Sequence, residues 1–178
     1  RVLRMGDGVH APETSSASWI ALADRGVGGL VVLELLTVGS PGEVTADTVR
    51  RALQPLAPSL RALLMRGSTL LSADRCWEGL VEVLPAMTAL RRLDVSGCGL
   101  GDEATAALVR ALPRGLEDLK LGGTHIRTPI ANATAEALRD AVLPSLMKLS
   151  LGRFQGRGEL LAEALASMPQ LRCPRLPD

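Results

Sequence analysis

Apolar residues recur along this chain at one fixed spacing. In "LRRLDVSGCGL", which starts at Leu90, they stand at the first, fourth, sixth and eleventh positions: Leu90, Leu93, Val95 and Leu100. The same pattern, LxxLxLxx(N/C)xL, returns at "LVVLELLTVGS" from Leu30, "LRALLMRGSTL" from Leu60, "LEDLKLGGTHI" from Leu116 and "LMKLSLGRFQG" from Leu146. "RVLRMGDGVH" fits when it begins at the second position, and "LRCPRLPD" from Leu171 fits the first part. The starts lie roughly 25–30 residues apart, the period of stacked supersecondary units. Positions 3 to 6 alternate as a short strand does. Side chains at positions 4 and 6, such as Leu119 and Leu121 or Leu149 and Leu151, are expected inward, and those at positions 3 and 5 outward.

Between these segments the period lengthens to that of a helix. "SASWIALADRG", "VTADTVRRALQPLAP", "SADRCWEGLVEVLP", "DEATAALVRALP", "NATAEALRDAVLP" and "GELLAEALASMP" are rich in Ala, Leu and Val, and most end near proline. Asp102 and Ser72 are expected as N-caps, and Pro129 suits a first helical turn. A strand of this length cannot bury its apolar face alone, so the units are expected to stack into a parallel sheet with helices behind it.

Taken together, these registers resemble the leucine-rich repeat family. The similarity is to its long-repeat, helix-containing class, that of ribonuclease inhibitor and the Ran GTPase-activating protein. Trypanosomatid leucine-rich repeat proteins and the sensor regions of NOD-like receptors are similar too. The resemblance covers nearly the whole chain. It implies an α/β solenoid, a horseshoe arc of about six to seven repeats with the parallel sheet on its concave face and helices on its convex face. Residues 1–178 are then one domain, expected to be a piece of a longer chain because the sequence begins with Arg1. The pattern departs from the family at position 9, usually Asn or Cys, whose side chain bonds to the loop backbone. Cys98, Thr124 and Ser68 are able to do some of this; Val38, Phe154 and Gly8 are not. The turns after the second strand and after Phe154 are expected to be less regular.

Composition narrows the function. At 47% apolar residues the chain can build a core, yet no apolar run approaches the roughly 18 residues a membrane helix needs. No secretory leader is recognisable. Twenty basic and nineteen acidic residues leave a net charge of +1, with no global attraction to nucleic acid or a membrane surface. Aromatic side chains are 2% of the chain, which argues against base-stacking platforms. Cys76, Cys98 and Cys173 have no paired spacing, so neither a disulfide framework nor a zinc knuckle is expected, and a reducing intracellular, cytoplasmic compartment fits.

Candidate chemistry is sparse. Gly97, Gly99 and Gly101 between a strand and a helix imitate a nucleotide or cofactor loop, with Asp94 as its acidic residue. The equivalent turns, "GSTL" and "RFQG", lack the glycine ladder, so these glycines are expected only to turn the chain. His10 and His125 fall in turns of distant repeats, which a solenoid does not bring together. Cys98 is expected as a small buried hydrophobe rather than a nucleophile. Asn132 begins a glycosylation sequon that has meaning only in a secreted chain. No catalytic residue, cofactor or metal site is expected.

The outward strand positions carry the functional expectation. Position 3 reads Val2, Val32, Ala62, Arg92, Asp118, Lys148 and Cys173; position 5 reads Arg4, Glu34, Leu64, Asp94, Lys120, Ser150 and Arg175. In a parallel sheet each set forms a row. Arg92, Asp118 and Lys148 alternate in sign, as do Asp94 and Lys120, and such ladders usually satisfy themselves. Val32, Leu36, Ala62 and Leu64 form an apolar patch beside Arg66 and Glu34, the kind of surface that marks a partner site. The expected function is a non-catalytic protein–protein interaction module or scaffold presenting the concave sheet, with a protein partner and neither nucleic acid nor membrane. The alternatives are a GTPase-activating protein, onto which no catalytic arginine maps, and a substrate-recognition arm of a ubiquitin ligase or other large complex.

Overall fold

Adjacent repeats are joined where their strands begin, one carbonyl of the preceding repeat accepting from two successive amides of the next. The carbonyl of Arg61 accepts from the amides of Arg91 and Arg92 at 2.8 and 3.0 Å, and that of Arg91 accepts from Glu117 and Asp118 at the same distances. Val31 and Glu117 repeat the arrangement one unit earlier and one later. The computed structural model describes residues 2–5, 29–35, 44–68, 71, 75–122 and 129–175. Within them lie strands β1 (Val2–Met5), β2 (Val32–Leu35), β3 (Ala62–Leu64), β4 (Arg92–Asp94), β5 (Asp118–Lys120), β6 (Lys148–Ser150) and β7 (Cys173–Arg175). They form one seven-stranded sheet in sequence order, and every neighbouring pair is parallel.

The pairing register matches the repeat register residue for residue. Val32 stands beside Ala62, Ala62 beside Arg92, Arg92 beside Asp118, and Asp118 beside Lys148. Leu33, Leu63, Leu93 and Leu119 consequently form one fully buried row, continued by Leu149. Leu35, Met65, Val95, Leu121 and Leu151 form the next, and Leu60, Leu90, Leu116 and Leu146 a third. Each leucine packs on its own copy in the adjacent repeat, so the core is continuous along the array.

The helices are α1 (Ala46–Leu53), α2 (Trp77–Val83), α3 (Asp102–Arg110), α4 (Asn132–Asp140) and α5 (Gly158–Ala166). The expected stretch at 16–26 lies outside the described residues. Proline shapes two of the helix ends: Pro55 and Pro85 sit in the first turn of short 3-10 segments, Gln54–Leu56 and Leu84–Ala86, where a missing amide costs little. Thr45 caps α1 by accepting from the Thr48 amide at 3.3 Å. Two sequence expectations need correction here. Asp102 does not cap α3, whose N-cap is Gly101. Pro129 is not in the first turn of α4 but precedes Ile130, which pairs with Phe154 in a parallel bridge. Ser72 lies outside the described residues.

Consecutive helices pack on one another behind the sheet. Packed helices need about 8–10 Å between axes, whereas adjacent strands need about 4.8 Å. The helical layer is therefore the longer one, and the array bends with its sheet on the concave face. The molecule is an α/β leucine-rich-repeat solenoid.

Candidate protein-binding face

The concave face is assembled from the two outward positions of each strand. At position 3, Val2 is 60% exposed, Val32, Ala62 and Asp118 are half-buried, and Arg92 and Lys148 are exposed. At position 5, Glu34, Leu64, Lys120 and Ser150 are half-buried. Arg66 is exposed just beyond β3. The side chains of Arg4, Cys173 and Arg175, and all of Leu36, lie outside the described residues. Of the apolar patch, Val32, Ala62 and Leu64 thus stand together on neighbouring strands, with Val2 extending it onto β1.

The charged half has largely paired within itself. Arg92 Nε lies 3.4 Å from Asp118 Oδ2, and Lys120 Nζ lies 3.4 Å from Asp94 Oδ2. Asp94 differs from the expectation of an open contact residue. Only 6% of it is exposed, because its other oxygen accepts from the Ser96 amide at 3.1 Å and from the Ser96 hydroxyl at 2.6 Å. The aspartate-x-serine spacing carried that signal, as a side chain that turns back to a backbone amide two residues on. Sequence reasoning also passed over position 2, where Arg91 and Glu117 approach to 3.6 Å. Their opposite signs at equivalent positions were visible. Lys148 forms no ion pair within the described residues.

The described turns beyond the strands are shaped by glycine and by hydrogen bonds to the backbone. Gly97 and Gly99 have φ of 75° and 71°, conformations that glycine adopts freely, and a Cβ at Gly97 would lie 3.3 Å from the Gly67 backbone. They turn the chain and let adjacent turns stack. Cys98 follows within this turn and donates from Sγ to the carbonyl of Met65 at 2.9 Å. Burial pushes its thiol up to about 12, against backbone hydrogen bonds that act the other way, so the thiol stays protonated near neutral pH. After Phe154 the missing side-chain bond is replaced by backbone: the Gln155 amide donates to Ile130 and the Ile130 amide to Arg153, at 2.8 and 3.1 Å. Val38, Gly8, Thr124 and both histidines lie outside the described residues. Among the described residues no cluster of His, Cys, Asp or Glu could hold a metal ion. No helix there is long and apolar enough to cross a membrane.

The fold is that of the leucine-rich-repeat solenoids. A solved structure shares the architecture: the leucine-rich repeat-containing protein LegL7 from Legionella pneumophila, with a TM-score of 0.58 at 17% identity. The match covers 92% of this chain and 51% of LegL7, so the chain spans about half the length of that protein. No family model matches the sequence, and no curated protein matches it either.

Proposed function

We propose that this chain is a non-catalytic protein-interaction module whose concave sheet receives a protein partner, on its own or as a subunit of a larger assembly. One observation carries the reading: Val32, Ala62 and Leu64 hold apolar surface partly open to solvent on adjoining strands, next to charges that already have partners. Partner interfaces concentrate their energy in such a desolvated apolar centre ringed by polar contacts. The likeness to LegL7 supports the solenoid on which the reading depends. An intracellular setting suits Cys76 and Cys98, neither of which is in a disulfide.

The test begins with capture of a binding protein by the immobilised chain and continues with two variants, each checked for an unchanged melting temperature. Leu64→Glu is expected to weaken binding tenfold or more. Lys120→Gln, which leaves Asp94 its Ser96 partner, is expected to have less effect. Normal binding by Leu64→Glu together with loss in Lys120→Gln moves the interface to the charged half. Normal binding by both removes the sheet from the function. Stimulated GTP hydrolysis with a panel of small GTPases would replace the non-catalytic reading with the GTPase-activating one.

A further inference from the structure

The near-neutral net charge conceals a division between the two layers. Of the thirteen acidic side chains in the described residues, nine lie on the five helices, accompanied by four basic ones. Outside the helices the described residues carry four acidic and eleven basic side chains. The basic excess is concentrated where the strands begin. Arg61 precedes β3, Arg91 precedes β4 and Arg92 opens it, Arg114 lies in the turn before β5, Lys148 opens β6 and Arg172 precedes β7. All six are exposed. Arg91 and Arg92 use Glu117 and Asp118, the acidic residues of this rim, whereas Arg61, Arg114, Lys148 and Arg172 form no ion pair within the described residues. Each of five successive strands, β3 to β7, is opened or preceded by at least one of these cations, and the five strands span about 19 Å.

We infer that the occupant of the concave face is an acidic protein segment, its carboxylates along the rim of Arg61, Arg114, Lys148 and Arg172 and its apolar side chains over Val32, Ala62 and Leu64. This rests on the sheet being the binding face, and adds the chemistry of what binds there. An extended segment of about six residues spans the same roughly 20 Å. The charge matches by sign: a carboxylate-rich segment meets unpaired cations on the rim and is repelled by the acidic helical layer, which fixes both side and orientation. A nucleic acid fits less well. The chain has 2% aromatic residues for stacking, and a phosphate backbone would leave the apolar strip uncovered.

The experiment uses the 178-residue chain and a labelled peptide of about ten residues, mostly glutamate with two leucines. Saturable binding is expected, weakening about tenfold between roughly 50 and 200 mM salt as charges are screened. Joint reversal of Arg61, Arg114 and Lys148 to Glu should weaken it at least tenfold, and Leu64→Glu should also weaken it. Arg110→Glu, on the exposed side of α3, should leave it unchanged. Melting temperatures confirm that each variant is folded. Absence of saturable binding, or normal binding by the triple variant, overturns the inference. Loss in Leu64→Glu with a normal triple variant does so while leaving the sheet as the binding face. Loss in the triple variant with normal Leu64→Glu removes the apolar strip, and with it both readings. A single-stranded oligothymidylate that binds more tightly than the peptide and is lost in the triple variant assigns the rim to nucleic acid instead.

Discussion

Cys98 and Ser68 occupy equivalent turns and meet different fates. Both are fully or nearly buried. The Cys98 thiol reaches the carbonyl of Met65 in the preceding repeat, but the Ser68 hydroxyl has no hydrogen-bond partner among the described residues. By register its equivalent acceptor is the carbonyl of Leu35, to which it makes no hydrogen bond. A buried hydroxyl without a partner costs about 1–3 kcal/mol. Ser68→Ala is therefore expected to raise stability by about 1 kcal/mol in urea denaturation, and Ser68→Cys at least as much if the thiol makes the bond. A loss of stability in both variants would mean that the hydroxyl is satisfied in solution. The repeat marked both positions as able to bond; only Cys98 does so among the described residues.

At the scale of elements, Asp102 joins two repeats. It is the first residue of α3, yet its carboxylate accepts from the amides of Ala131, Ala133 and Thr134 at 2.8, 2.9 and 3.0 Å, and from the Thr134 hydroxyl at 2.7 Å. It thus fills the orphan donors at the start of α4, as a capping side chain does, from a different helix. Asn132 repeats the device, accepting from the Arg157 amide ahead of α5 at 2.8 Å. Partial burial alone would raise the Asp102 carboxyl, but the Thr134 hydroxyl and the three amides outweigh it and hold it below the usual aspartate range. A lowered folded-state value adds stability that is complete above the unfolded aspartate pKa and vanishes as pH falls through the folded one. Asp102→Ala should lose about 1–2 kcal/mol near neutral pH. Its urea midpoint should fall less than that of the unaltered chain on acidification below about pH 4. Parallel acid profiles for the two proteins would show that the carboxylate is not the latch between α3 and α4.

For the whole molecule, continuity of the leucine rows decides stability. Leu119 is fully buried on β5, between Leu93 and Leu149 of the flanking strands. Leu119→Asp places an unpaired charge in a core shared by three repeats, with an expected loss of 4 kcal/mol or more, about the upper end for single substitutions. Asp118→Ala, one residue away, loses a partly exposed contact with Arg92 and should cost no more than about 1 kcal/mol. Thermal denaturation that lowered both variants equally would refute the inward and outward assignment. Cations without an ion pair among the described residues, Arg61, Arg114, Lys148 and Arg172, stand at the strand starts while acidic residues gather on the helices. A single net charge for the chain could not reveal that separation.

Spacing alone determined the repeat, its register and the sorting of side chains into core and surface, because a two-residue alternation leaves no freedom once Leu93, Leu119 and Leu149 must share one interior. It also placed Arg92 beside Asp118 and Asp94 beside Lys120. What the tertiary structure decided were the contacts made between repeats, where distance and direction matter more than position in a pattern. Asp102 looked like the cap of its own helix and serves the next, since stacking brings the start of α4 within reach of its carboxylate. Phe154, unable to bond through its side chain, is held by backbone pairing with Ile130. Asp94 faces outward as alternation requires, yet Ser96 and Lys120 close over it. For Asp102 and Phe154 the deciding partner is brought near by the fold, and local sequence carries no measure of that approach; for Asp94 it stands two residues on.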